Sequence, residues 1–237
     1  MPNTHQQHER QPHSEAVINH HLDDATLMAY AAGTLDESLS VVAASHMAFC
    51  HECAREARFA DALGGMIFEH QEETPLHDNA LTNFLTRLDS PMPDVGYRSG
   101  RSLPNHARTS SLPRALARYL DKPLEDTTWK RIAPGLAIHE LPVSPAARGR
   151  LHLFRIAAGK AMPEHGHGGN ELTLVLSGSY SDCFGRFAPG DVADLDPDAN
   201  HQPIVDAGAP CTCLIATEAP ARFTNLMARI FQPVSGL

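Results

Sequence analysis

GKAMPEHGHGGNELTLVLSG, residues 159–178, decides how the second half of this chain is read. His165 and His167 stand two residues apart, so on an extended segment both imidazoles point the same way. Glu171 opens the apolar run LTLVL, residues 172–176, and can complete a cluster with them from the start of a strand. A fourth donor should arrive from a later strand, and His201 in PDANH, residues 197–201, is the candidate. Three imidazoles and a carboxylate suit Zn²⁺, Fe, Mn or Ni on ligand type alone.

Outward from this stretch lie further short β-like runs, each broken by Pro or Gly: LHLFRI at 151–156, DVADL at 191–195 and CTCLIA at 211–216. Many short strands separated by turn signals predict a sandwich or barrel. The spacing Gly159-x5-His165-x-His167-x3-Glu171-x6-Gly178 resembles the first motif of the cupin family. That resemblance implies a β-barrel of the double-stranded β-helix type over residues 113–237, with a divalent metal, zinc or another, among His165, His167, Glu171 and His201. The second cupin motif is altered: Ala199 stands where Gly is usual, and His201 comes one residue early. Cys211 and Cys213, two apart on an expected strand, would face one side. They are read either as a redox-sensing pair near the metal or as small buried packing residues. Trp129, the single tryptophan, is expected to pack at the barrel's edge.

The first half has a different periodicity. Asp23 can cap a helix through Leu27, Met28 and Tyr30, with Gly33 just past its end. Asp36 can cap a second helix through Leu39, Val42 and Met47, and a third spans about Glu52 to Phe68. Asp78 or Asn79 can open a fourth, with Leu81, Phe84, Leu85 and Leu88 as an apolar stripe. His46, Cys50 and Cys53 spell H-x3-C-x2-C across the junction of the second and third helices. Two thiolates and an imidazole within one turn suit tetrahedral Zn²⁺, with His20 or His21 able to supply the fourth donor. His51 has no evident partner and is expected to be exposed.

Charge and composition narrow the function. The net charge of −9 argues against nucleic acid as the main partner. Between Glu15 and Glu69 there are nine acids against Arg55 and Arg58, whereas Arg98 to Arg131 carries eight bases against three acids. An acidic module of this kind fits a basic protein partner. Five cysteines, odd in number and bunched, fit a reducing cytoplasm better than a disulfide framework. No apolar run reaches the length of a membrane span. Residues 1–17 read as a disordered tail. Residues 91–112, rich in Pro, Gly, Ser and Arg, read as a linker between a helical domain at 18–90 and the barrel. Such a linker implies halves that fold independently.

HHLDDATLMAYAAGTLDESLSVVAASHMAFCHEC, residues 20–53, resembles the zinc-binding anti-sigma family, and within it the ChrR type. The resemblance extends over nearly the whole chain after residue 18 apart from the linker. It implies an α + β protein: a four-helix zinc-binding anti-sigma domain followed by a cupin barrel. By position in that motif the fourth zinc ligand is His21. The zinc would be structural. The partner would be a sigma factor of the extracytoplasmic-function group, bound 1:1 by the helical domain. Release would follow oxidative stress, typically singlet oxygen, sensed by the cupin domain. The chain would then not be an enzyme. The rival expectation is a metal-dependent cupin dioxygenase or isomerase with an accessory zinc module. The helical zinc module discriminates, since an oxygenase has no use for an acidic clamp.

Overall fold

The computed structural model describes residues 17–90, 112–220 and 222–223. The tail at 1–17 lies outside them apart from Val17, and the linker at 91–112 apart from Leu112.

Helices come first in the chain: α1 (Asp24–Ala31), α2 (Glu37–Met47), α3 (His51–Glu69), α4 (Ala80–Asp89) and the short α5 (Arg114–Ala117). Their starts follow the expected capping chemistry. Asp23 accepts from Thr26 N at 2.6 Å and Asp36 from Ser38 N at 3.0 Å, each satisfying one of the free N–H groups of a first turn. Gly33 ends α1 with φ +68°, a left-handed conformation that suits glycine. Cys50 caps α3, its Sγ accepting from Cys53 N at 3.4 Å, so the helix start draws Cys50 and Cys53 together.

Among the described residues twelve strands follow, of which the longest are β2 (Leu136–Leu141), β3 (Arg150–Ile156), β5 (Glu171–Ser177) and β11 (Cys211–Thr217). With β1 (Lys130–Ala133) and β8 (Val192–Leu195) they form a six-stranded antiparallel sheet in the order β1-β2-β3-β11-β5-β8. Opposite it lie two small sheets. One is β10-β6-β7, from β6 (Tyr180–Asp182), β7 (Gly185–Phe187) and β10 (Ile204–Val205). The other is β12-β4-β9, from β4 (His165–Gly166), β9 (Asn200–His201) and β12 (Arg222–Phe223). Gly178, the last residue of the opening motif, has φ +72°, and a Cβ there would strike the Pro210 carbonyl and Cys211. Only glycine lets the β5–β6 turn lie against the start of β11.

The six-stranded sheet is covered on both faces. Side chains alternate along each strand with period two. Leu151 and Leu153 of β3, Leu172 and Leu174 of β5, and Leu214 and Ala216 of β11 belong to one core cluster with Leu39, Val41, Val42 and Ala43 of α2. Phe154, Ile156, Val175, Cys211 and Cys213 belong to a second cluster with Tyr180, Phe187 and Val205 of the opposing sheet. The two halves of the chain therefore share a core, contrary to the independence that the linker composition implies. Polar contacts add to it. Asp36 Oδ2 accepts from Arg148 N at 2.8 Å and Glu37 Oε2 from Ser144 N at 3.1 Å. Buried Asp191 accepts from Asn19 N and His20 N at 2.7 and 3.1 Å. A Cβ on Gly149 would collide with Ser38 Oγ, so the barrel loop approaches α2 as closely as glycine permits.

The fourth helix departs from the expected bundle. α4 forms, but none of its side chains is buried. α1, α2 and α3 pack on one another, α5 packs on α2, and α2 lies on the sheet, so α4 is the helix that stays out of the packed layer.

Candidate metal centres

The first cluster joins His21, His46, Cys50 and Cys53, whose donor atoms all lie within 4.8 Å of one another. His21 Nδ1 is 3.3 Å from Cys50 Sγ and 3.6 Å from Cys53 Sγ, and His46 Nε2 is 3.3 Å from Cys53 Sγ. A tetrahedral zinc with bonds of about 2.0–2.1 Å to nitrogen and about 2.3 Å to sulfur separates N from S by about 3.5 Å. The four donors fit that ion. The surroundings orient them as metal ligands are usually oriented: the second nitrogen of His46 lies 2.9 Å from the Gly190 carbonyl, and that of His21 lies 3.6 Å from Glu52. Burial lowers the His46 pKa to about 4, which keeps the imidazole neutral, and burial raises the Cys53 thiol to about 12. A bound cation would reverse the second effect, since coordination deprotonates a thiol. Of the two histidines weighed for the fourth position, His20 turns away. Its ring stacks on Phe187 at 4.0 Å and its Nε2 meets the Arg186 carbonyl at 3.1 Å.

The second cluster joins His165, His167, Glu171 and His201, all buried. Antiparallel pairing of β4 with β9 sets His165 directly opposite His201, and their Nε2 atoms are 3.2 Å apart. The early arrival of the histidine in the altered second motif is therefore no obstacle: register, not the motif, places it. Each outer nitrogen is occupied, His165 Nδ1 at 2.9 Å from the Pro163 carbonyl and His201 Nδ1 at 2.8 Å from Asp182 Oδ2. Both rings thus present Nε2 inward. His167 Nδ1 lies 3.2 Å from Glu171 Oε2, and its buried Nε2 has no hydrogen-bond partner among the described residues. A divalent cation would satisfy that orphaned nitrogen. Burial by itself would raise the Glu171 pKa, yet the His167 hydrogen bond and the three imidazoles hold it below the ordinary value. Burial lowers His165 against the pull of Glu171. Imidazole nitrogens and a carboxylate are donors that a divalent metal binds, and a metal held there would act as a Lewis acid toward an oxygen ligand.

Beside the second cluster a cavity of about 70 Å³ opens, walled by Phe154, Ile156, Met162, Tyr180, Pro203 and Ile215. Cys213 also lines it, and Cys211 Sγ sits 3.5 Å from Cys213 Sγ, both thiols buried. A thiol hydrogen bond in which either sulfur can donate joins them; it lowers the Cys211 pKa and, with burial, raises that of Cys213. Cys183 and His51 are exposed. Trp129 packs against the first core cluster with Arg155 5.1 Å above its ring.

Sequence reasoning missed Asp182 and Gly190, which hold ligand rings from behind. Neither carries a motif: Asp182 reaches His201 from the neighbouring β10-β6-β7 sheet, and Gly190 reaches His46 where α2 docks on the barrel.

Fold and clusters define a class: a helical module with a His₂Cys₂ centre, seated on a double-stranded barrel with a His₃Glu centre. Residues 122–221 match the ChrR cupin-like domain family. The anti-sigma-E factor ChrR of Cereibacter sphaeroides is 38% identical over 217 residues, 92% of this chain and 98% of that protein. The crystal structure of Rhodobacter sphaeroides SigE in complex with the anti-sigma ChrR matches with a TM-score of 0.67 at 37% identity, over 85% of this chain and 99% of that one. The chain belongs to the ChrR family of anti-sigma factors.

Proposed function

We propose that this chain is an anti-sigma factor that binds an extracytoplasmic-function sigma factor 1:1 through its helices and releases it when the barrel senses oxidative stress. The observation that carries the reading is an apolar surface left open on α3 and α4. Phe59, Leu63 and Ile67 follow at i, i+4 and i+8 with Met66 and Phe68 beside them, and Leu81, Phe84, Leu85 and Leu88 line α4. All nine are exposed, Phe59 at 69% and Phe68 at 77%. Exposed apolar stripes of this kind mark interaction sites. A relative that binds SigE supplies the class of partner.

In this reading the first centre holds zinc and is structural, since two thiolates and two imidazoles gathered within 4.8 Å leave no position for a substrate around a four-coordinate ion. The second holds zinc or another divalent metal and belongs to the sensor, with Cys211, Cys213 and the three histidines as oxidisable groups. Singlet oxygen is the proposed signal. The site of action is the cytoplasm, where sigma factors work. No described helix is long and apolar enough to cross a membrane, which agrees with this.

Co-expression with the cognate sigma factor and size-exclusion chromatography test the proposal. The wild type should elute as a 1:1 complex. Phe59→Asp/Ile67→Asp should keep its fold by circular dichroism and elute alone. A complex that survives this pair of charges would move the interface elsewhere.

A further inference from the structure

The barrel cavity contains a polar group that the described residues leave unanswered. Tyr180 on β6 is 4% exposed and stacks on Phe187 with ring centroids 4.9 Å apart. It lines the cavity together with Glu171, His165 and His201. Its hydroxyl is buried without a hydrogen-bond partner among the described residues. Buried hydroxyls in folded proteins nearly always have one. Burial first, and then the neighbouring Cys213, Asp182 and Glu171, push its pKa well above the ordinary phenol range. The group stays protonated and offers a donor that no acceptor among the described residues reaches.

The other walls define what would meet that donor. Phe154, Ile156, Met162 and Ile215 make most of the remaining surface apolar, with His152, Thr173 and Thr217 as smaller polar parts, so most of the ligand must be apolar too. At the metal end, three neutral imidazoles and the single carboxylate of Glu171 leave a divalent ion short of compensating charge. Asp182 is separated from the donor atoms by the ring of His201. At about 10–15 Å³ for each water-sized group, a cavity of about 70 Å³ takes about five to seven heavy atoms.

We propose that this cavity binds a short-chain monocarboxylate, its carboxylate between the barrel metal and the Tyr180 hydroxyl and its alkyl tail against Phe154, Ile156, Met162 and Ile215. The inference concerns binding only and stands whether or not the anti-sigma reading holds.

The test uses metal-loaded full-length protein, with metal content measured beforehand, and titrates sodium butyrate by calorimetry. One saturable site per chain is expected. Affinity should rise from acetate to butyrate and fall again at octanoate, which is too long for the cavity. Tyr180→Phe removes only the donor. It should keep both metal equivalents and bind butyrate about tenfold more weakly, the loss expected for one hydrogen bond to a charged acceptor. If Tyr180→Phe loses metal, Met162→Ala replaces it as the probe: the enlarged cavity should shift the preferred chain length upward. Absence of saturable binding by the wild type, unchanged affinity in metal-retaining Tyr180→Phe, or a chain-length preference that Met162→Ala does not move would each overturn the assignment.

Discussion

The two clusters are built from opposite halves of metal chemistry, and their surroundings differ as much as their ligands. The His21, His46, Cys50 and Cys53 donors close around one point, and the ring of His46 is held by a carbonyl from the barrel. The second cluster sits inside the barrel with a cavity at its side. A closed thiolate site at a seam between layers is suited to holding elements together. An imidazole–carboxylate site open to a cavity is suited to meeting something from outside. In the proposed reading the chain would keep a structural ion where its layers join and a responsive one beside the cavity.

The largest effect should come from destroying the first site. Cys50→Ser/Cys53→Ser should lose about one metal equivalent and its helical circular dichroism, along with sigma-factor binding. Structural zinc supplies on the order of 10–16 kcal/mol of apparent binding energy in small modules. Helices and partner binding that persist in the metal-free double variant would erase the distinction drawn between the two centres.

Removing the second site should be gentler. His165→Ala/Glu171→Ala should lose the other equivalent, keep its helical content and still bind the sigma factor. Elemental analysis with circular dichroism measures both. Two equivalents still bound would refute the barrel ligand set.

Next in size is the shared core. Leu39 of α2 is 1% exposed and packs in the same cluster as sheet leucines such as Leu172 and Leu214. Leu39→Ala should cost about 2–5 kcal/mol and shift the melting of helices and barrel together. Separate transitions, with the barrel's unmoved, would restore the picture of two independent halves.

The smallest effect concerns the α2 latch. Burial tends to raise the Asp36 pKa, but the backbone N–H groups of Arg148, Ser38 and Gly149 and the Ser38 hydroxyl outweigh it, and the net shift is downward. A carboxylate depressed in the folded state stabilises above its unfolded pKa, about 3.9, and loses that stabilisation as pH falls through the folded value. Asp36→Ala should therefore cost about 1–2 kcal/mol at neutral pH. The difference from wild type should shrink below about pH 4. Urea titrations at pH 7 and pH 3.5 measure the gap, and equal gaps would show that the carboxylate charge plays no part.

Three donors of each set were legible in the sequence because their spacing is local: His165, His167 and Glu171 at i, i+2 and i+6, and His46, Cys50 and Cys53 at i, i+4 and i+7 through a helix junction. His201 was a candidate from a later strand, and His21 was separated from His20 only by the family resemblance. Asp23 and Asp36 were legible as caps because their spacing, too, is local. Sequence could not place Asp182 behind His201 or Gly190 behind His46, since these contacts span 19 and 144 positions. The union of the halves left a trace that linker composition masked. LTLVL in β5 carries apolar residues on both faces, as a strand covered on two sides does. In α2, Ser38, Leu39, Val41, Val42, Ala43, Ser45 and His46 are all buried. A helix apolar around most of its circumference lies between layers rather than on a surface. The unpacked α4 was hidden for the converse reason: its stripe is amphipathic, and periodicity does not say whether the apolar side meets this chain or another.

The docking of α2 on the sheet changes what the covalent connection between the halves is for. With Leu39 and Val42 already seated, the chain between Ser90 and Leu112 raises the effective concentration of one piece at the other but is not what holds them. A molecule cut there by a protease should behave as a heterodimer. Its two pieces should elute together until dilution or denaturant parts them. A fragment ending at Ser90 made alone would present α2 naked to water, and its behaviour would report on that exposed surface as much as on inhibition.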